Sequence, residues 1–213
     1  MSLAFVDYEK AFDPVETNAI LGALTSQGIN PQYVKLIGNI YSAATSTIQL
    51  HAEGSPFTLK RGVRQGDSMS PKPFISCLQT IFDKLQWNDK QFGLQIGNEY
   101  LNNLRFADDI VLIAKNPQEL QTMVNQLYSE SHRIGLKMNK AKTKTMSSNI
   151  AQAPKIEVEN EELGTVQHYI YLGRMIQNNG SQEKELQRCV TMAWSKRSSY
   201  SQWEPVMTRV EAW

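Results

Sequence analysis

Two adjacent aspartates, Asp108 and Asp109, interrupt an otherwise apolar stretch from Phe106 to Ala114. A third, Asp7, ends a second apolar run, Leu3-Ala4-Phe5-Val6. Burying a carboxylate costs on the order of several kcal/mol unless it is paired or neutralised. One reading makes Asp108-Asp109 the polar turn of a hairpin, because aspartate favours turns. The other sets strand 3–7 beside the hairpin 104–114, so that three carboxylates meet at one edge of a sheet. Hard divalent cations take oxygen ligands, and Mg²⁺ keeps water and substrate phosphates in its remaining positions. Two such ions about 4 Å apart would clamp the attacking and leaving oxygens of an in-line phosphoryl displacement. Spacing alone admits both readings.

The elements that must position these residues can be followed along the chain. Residues 3–7 read as a short buried strand. Asp13-Pro14-Val15-Glu16 reads as a helix start, with Asp13 as N-cap and Glu16 at the capping-box position, and Gly28 as the stop. Asn30-Pro31 repeats the start signal, and Val34, Ile37 and Tyr41 give the next helix an apolar stripe. Ser46–His51 and Phe57–Val63 flank the turn composition Glu53-Gly54-Ser55-Pro56 and read as a hairpin. Ser70-Pro71 opens a helix whose buried side carries Phe74, Leu78, Ile81, Phe82 and Leu85. Phe92 to Ala114 reads as three short strands with turns at Gly97-Asn98 and Asp108-Asp109. Asn116-Pro117-Gln118-Glu119 is a further capping box, followed by Leu120, Met123, Val124, Leu127 and Ile134 at helical spacing, with Gly135 as the stop. Beyond Asn149 the texture changes: 156–163 is acidic, 169–176 strand-like, and Ser181 onward helical. A soft boundary falls at 178–182.

Bulk properties exclude some classes. The net charge of this 213-residue chain is +1, so a nucleic-acid partner would have to be held by local patches rather than a global field. Arg133, Lys137, Lys140, Lys142 and Lys144 form one such stretch with no acidic residue between them, and Lys196-Arg197 another. A solvated helix face is the plainer reading of both. Two distant cysteines, Cys77 and Cys189, argue against a disulfide framework or zinc site. No apolar run approaches the ~18 residues of a membrane span, and the N-terminus is no signal peptide. The expectation is a soluble intracellular chain without a membrane partner.

Five segments resemble, in order, the motifs of reverse transcriptases, specifically those of non-LTR (LINE-like) retrotransposons. Ala4-Phe5-Val6-Asp7-Tyr8-Glu9-Lys10-Ala11-Phe12-Asp13 is similar to motif A, and Arg61-Gly62-Val63-Arg64-Gln65-Gly66-Asp67-Ser68-Met69-Ser70-Pro71 to motif B. Phe106-Ala107-Asp108-Asp109 resembles motif C. Gly135-Leu136-Lys137-Met138-Asn139 with Lys142-Thr143-Lys144 resembles motif D, and Tyr169-Ile170-Tyr171-Leu172-Gly173 motif E. The resemblance implies an α+β fold, a polymerase palm with a ferredoxin-like antiparallel sheet and helices packed on one face, over residues 1–178. Residues 179–213 would begin a helical thumb. It implies an RNA-directed DNA polymerase that joins a dNTP to a primer 3′-hydroxyl on an RNA template, with two Mg²⁺ ions (or Mn²⁺) as cofactor.

Carried over, Asp7 and Asp108 would hold both ions, with Asp109 the third acidic member and the Tyr8 carbonyl a further ligand. Phe12 would be the steric gate against a 2′-hydroxyl; its plainer reading is a core aromatic. Arg64, Gln65 and Gly66 would meet the incoming nucleotide, or simply form a Gly-containing loop. Lys142 would protonate the pyrophosphate leaving group, with Lys144 as rival and phosphate binding by either as the plainer role. Tyr171, Leu172 and Gly173 would form the primer grip, or a plain core strand. Pro73 and Ile170 depart from the family pattern. The chain begins at motif A, so the fingers and endonuclease are expected in the remainder of a larger polyprotein, acting in the nucleus where such elements integrate. An RNA-dependent RNA polymerase, with Asp13 reading a ribose hydroxyl, and a non-catalytic nucleic-acid-binding remnant are the alternatives.

Overall fold

The computed structural model describes residues 1–48, 54–64, 66–148 and 155–200, and side chains as far as 195. In chain order these form β1 (Ser2–Val6), α1 (Thr17–Ser26), α2 (Pro31–Ser42), β2 (Thr45–Ser46), β3 (Phe57–Thr58) and α3 (Pro71–Leu85). There follow β4 (Leu94–Ile96), β5 (Glu99–Leu101), β6 (Asn103–Phe106), β7 (Asp109–Ala114), α4 (Pro117–Arg133) and β8 (Lys144–Ser147). The last are β9 (Glu157–Val158), β10 (Glu161–Glu162), β11 (Gly164–Thr165), β12 (His168–Tyr171), β13 (Arg174–Gln177) and α5 (Glu183–Tyr200).

The chain divides into two compact units, Met1–Thr165 and Val166 onward. The first is built on a five-stranded sheet in the order β11-β8-β1-β7-β6. Its central pairs are antiparallel, while β11 runs parallel to β8. Reading β1, helices, the β6–β7 hairpin, α4 and β8 gives the split βαβ arrangement of a ferredoxin-like α+β fold.

Every residue of β1 is buried, as is all of β7 after Asp109. Strands covered on both faces read as continuous apolar runs, which explains both sequences. Ala4, Val6, Ile110, Leu112 and Ala114 face the main core with Ile20, Phe74, Leu78, Met123 and Leu127 of α1, α3 and α4. Leu3, Phe5, Val111 and Ile113 alternate onto the other face. The expected stripe of α3 is buried throughout, and Pro73 is buried with it in the first turn. There a missing N–H removes no helical hydrogen bond.

Local signals were overridden at three places. Helix α1 starts at Thr17, not Asp13, and its N-cap Glu16 makes no side-chain cap bond. The preceding backbone is already committed: Val63 N–H donates to the Phe12 carbonyl (2.7 Å), Gly62 N–H to that of Val15 (2.8 Å), and Glu16 N–H to that of Ile134 (3.1 Å). The segment 92–114 holds four strands, and its second turn is Ala107-Asp108, with Asp109 already in β7. The expected hairpin 46–63 is reduced to β2–β3, residues 49–53 lying outside the described ones.

The second unit begins at Val166 rather than at 178–182, because the β12–β13 hairpin is tied to α5. Glu185 accepts from Met175 N–H (3.0 Å), and Arg188 donates to the Gly173 carbonyl. No helix among the described residues is long and apolar enough to cross a membrane.

Gly135 ends α4 at φ +88°, and a Cβ there would sit 2.4 Å from the Pro14 carbonyl oxygen. Gly135→Ala is therefore expected to destabilise the fold by about 1–3 kcal/mol. An unchanged urea midpoint would show the turn to be more yielding than this.

Candidate active site

The register of β1 on β7 decides where the three aspartates stand. Val6 pairs with Ile110 at the last step of the ladder, so Asp7 leaves β1 on the side of Asp109, close enough to act on its carboxyl electrostatically. Asp108 fills the second position of the two-residue turn that closes β6 on β7. Ala107, the first position, has φ +54°, a value that two-residue hairpin loops demand and that non-glycine residues adopt at a cost. The turn thus keeps the carboxylates at the mouth of the sheet.

Their electrostatics are those of crowded like charges. Burial, then the neighbouring Asp108, then Asp7 raise the Asp109 carboxyl above the usual carboxylate range. Asp7 Oδ2 is buried and accepts no hydrogen bond. Lys142 Nζ lies 3.9 Å away, close enough for an ion pair but too long for a hydrogen bond. Since the Lys142 side chain is 71% exposed, that contact is weak and readily exchanged. A buried oxygen without a donor, among like charges, suits a hard cation. Among the described residues no three His, Cys, Asp or Glu form a ready-made metal cage.

Tyr8 supplies the backbone. Its phenol is buried against Ser131 of α4 (2.6 Å), and burial pushes its pKa well up. It forms an isolated bridge with Met138, flanked by the bonds Glu9 N–H to the Lys137 carbonyl and Asn139 N–H to the Asp7 carbonyl (both 2.8 Å). In this type of pair the bridging residue's own C=O points away from its partner. The Tyr8 carbonyl therefore turns toward β7 and the aspartates.

Phe12 is half-buried, its ring 4.7 Å from that of Phe74 on α3. Its carbonyl bond to Val63 N–H ties it to the loop that carries Arg64 and Gly66. Arg64 is exposed and donates to the Thr45 carbonyl (3.3 Å). Gly66 has φ +86° with open space where a Cβ would point, so its conformation, rather than crowding by the chain, calls for glycine. Gln65 lies outside the described residues. Lys144, the rival to Lys142, donates instead to the Ala141 carbonyl (2.6 Å). In the second unit, Leu172 (φ +47°) and Gly173 (φ +78°) form the exposed turn between β12 and β13, with Tyr171 at its base.

The basic stretch 133–144 is largely neutralised by acids distant in sequence: Lys137 by Glu9, and Lys140 by Glu159 and Glu161. Arg133 pairs with Glu130. The side chains of Lys196 and Arg197 lie outside the described ones. Asn139 and Thr143, which the motif D resemblance includes without giving them a role, bond the backbone of Asp7. Their bonds to Asp7 follow from no spacing rule, since the contact joins segments more than a hundred residues apart.

The raised Asp109 pKa fixes a sign. The folded state holds this proton more tightly than the unfolded state, so ionised Asp109 opposes folding above its folded pKa. That penalty fades as pH falls into the carboxylate range. In metal-free buffer, Asp109→Asn is expected to raise the thermal midpoint at neutral pH, with the gain shrinking toward pH 3–4 (roughly the ordinary carboxylate range). A gain that persisted at low pH would refute the charge-crowding account.

The profile of the reverse transcriptase (RNA-dependent DNA polymerase) family matches residues 2–188. A Pol polyprotein from the type-1 retrotransposable element R2 of Nasonia vitripennis is 31% identical over 77% of this chain and 16% of its own length. That of the type-2 element R2DM of Drosophila melanogaster is 30% identical over 68% of this chain and 13% of its own. A transposon-derived protein of Caenorhabditis elegans is 35% identical over 48% of this chain and 38% of its own. The chain thus spans well under half the length of these relatives. Among solved structures, apo telomerase from Candida tropicalis truncated from its C-terminal domain shares the fold. It gives a TM-score of 0.58 at 18% identity over 83% of this chain and 34% of that one. With the family's sequence motifs in order and its fold present, the chain belongs to the reverse transcriptase family.

Proposed function

We propose that the chain is the catalytic core of an RNA-directed DNA polymerase of the non-LTR retroelement type, the unit Met1–Thr165 carrying the palm's catalytic residues and the unit from Val166 onward the primer grip and the start of a thumb. The observation that carries this is the β1–β7 register, which sets Asp7 beside the Asp108-Asp109 turn with one buried carboxylate oxygen lacking a donor. Asp7 and Asp108, with the Tyr8 carbonyl and Asp109, would hold two Mg²⁺ ions, Mn²⁺ being a possible substitute. When bound, the ions neutralise charge on the phosphate oxygens and activate the primer hydroxyl. Phe12 closes the space beside the sugar C2′ and so prefers a dNTP. Arg64, Gln65 and Gly66 meet the nucleotide, and the exposed charge of Lys142 serves the departing pyrophosphate. Tyr171, Leu172 and Gly173 steady the primer. The partners are an RNA template, a DNA primer and the rest of a larger polypeptide with fingers and endonuclease, working in the nucleus.

The test is extension of a primed RNA template by this chain, alone and joined to the flanking regions of the Nasonia polyprotein. Asp108→Asn is expected to abolish Mg²⁺-dependent dNTP incorporation without shifting the urea midpoint; undiminished extension would sink the metal assignment. Exclusive use of NTPs would point to an RNA polymerase, and template binding without extension to a non-catalytic remnant. Phe12→Ala is expected to raise ribonucleotide incorporation, whereas an unchanged dNTP/NTP ratio would make Phe12 a core residue only.

A further inference from the structure

The ladder beside Asp7 is broken at one point. β1 and β8 pair as far as Phe5↔Lys144, and pairing resumes at Tyr8↔Met138. Continuing the first register by one step sets Val6 against Thr143. Between these points one strand holds Asp7 alone, while the other extrudes Asn139, Lys140, Ala141 and Lys142 as a loop. A bulge of this kind disrupts pairing locally and re-aims the side chains around it.

The loop is closed onto the backbone of Asp7. Asn139 N–H donates to the Asp7 carbonyl (2.8 Å), and Asp7 N–H donates to Thr143 Oγ1 (3.2 Å). Within the loop, Thr143 N–H donates to the Asn139 carbonyl (2.8 Å) and Lys142 N–H to Asn139 Oδ1 (3.2 Å). Thr143 is fully buried, at 0% exposure. Because the extruded loop takes the regular ladder acceptor away from Asp7, a side-chain hydroxyl stands in its place.

We propose that Thr143 is a positioning residue for Asp7, its buried hydroxyl fixing the carboxylate at the open end of β1 and, through the loop it closes, holding Lys142 beside it. This rests on the metal reading above. Without that acceptor the part-buried Asp7 amide loses its partner, and only the Asn139 bond to the Asp7 carbonyl still ties down the residue that follows β1. A purely structural threonine would affect folding, but not metal affinity in the folded protein.

The experiment measures Mn²⁺ binding by the intact chain from the loss of the free-ion electron paramagnetic signal, with urea midpoints as the check on folding. The wild type is expected to bind, and Asp108→Asn to lose binding. Thr143→Val should bind about 10-fold more weakly, the effect typical of removing a group that orients a ligand, and Thr143→Ser within about twofold of wild type. Hydrogen exchange of the Asp7 amide should accelerate in the valine variant and not in the serine one. Should the valine variant not fold, Thr143→Cys makes the same comparison, keeping the size close and replacing the oxygen with a poorer acceptor. Wild-type affinity and exchange in folded Thr143→Val, or failing that in Thr143→Cys, would overturn the proposal alone. Absence of Mn²⁺ binding sensitive to Asp108→Asn in the wild type would overturn the metal reading and this inference with it.

Discussion

The antiparallel pairing of β1 with β7 is the constraint on which the site depends. Both strands are buried on both faces, so their register is held by side chains on two sides. A slip of one residue would turn every apolar side chain to the opposite face and carry Asp7 with them. The strong burial of Ala4, Val6, Ile110 and Leu112 therefore does more than stabilise the core. It holds Asp7 near Asp109 and the turn at Asp108, and like charges are brought together because apolar neighbours leave them no alternative.

The electrostatic consequence is a site that is incomplete by itself. Asp109 is pushed toward protonation by burial and by its two neighbours, and Asp7 keeps a buried oxygen without a donor. Lys142 answers this only loosely, at ion-pair distance and with its side chain largely in water. The backbone, by contrast, is hydrogen-bonded: Asn139 and Thr143 bond Asp7, Glu9 N–H bonds the Lys137 carbonyl beside Tyr8, and Val63 is bonded to Phe12. Hydrogen-bonded backbone beneath exposed charge is the combination that the proposed metal-dependent phosphoryl transfer would use, since positioning has to precede binding of a hydrated, charged substrate.

Much of the fold could be read in the linear chain where the signal is local and repeated. The stripe of α3, the Asn30 and Asn116 caps, and the stops at Gly28 and Gly135 follow from helical spacing and cap chemistry. Where the reading missed, distant backbone had intervened. Asp13-Pro14-Val15-Glu16 has the composition of a helix start, but its carbonyls and amides are engaged by Gly62, Val63 and Ile134, so the helix waits until Thr17. The basic stretch 133–144 looks like a nucleic-acid patch until Glu9, Glu159 and Glu161 are folded against it.

The sequence by itself determined which residues are chemically able to act: three aspartates at the ends of apolar runs, an aromatic five residues beyond the first, and motifs in family order. Those properties are carried by residue type and by short-range periodicity, which need no partner to be visible. Tertiary structure alone decided the rest. It chose Lys142 over Lys144 as the neighbour of Asp7, turned the Tyr8 carbonyl toward β7, and made Thr143 an acceptor for Asp7. The reason is physical: each depends on the register between strands more than a hundred residues apart in the chain, which is set by core packing rather than by any local preference.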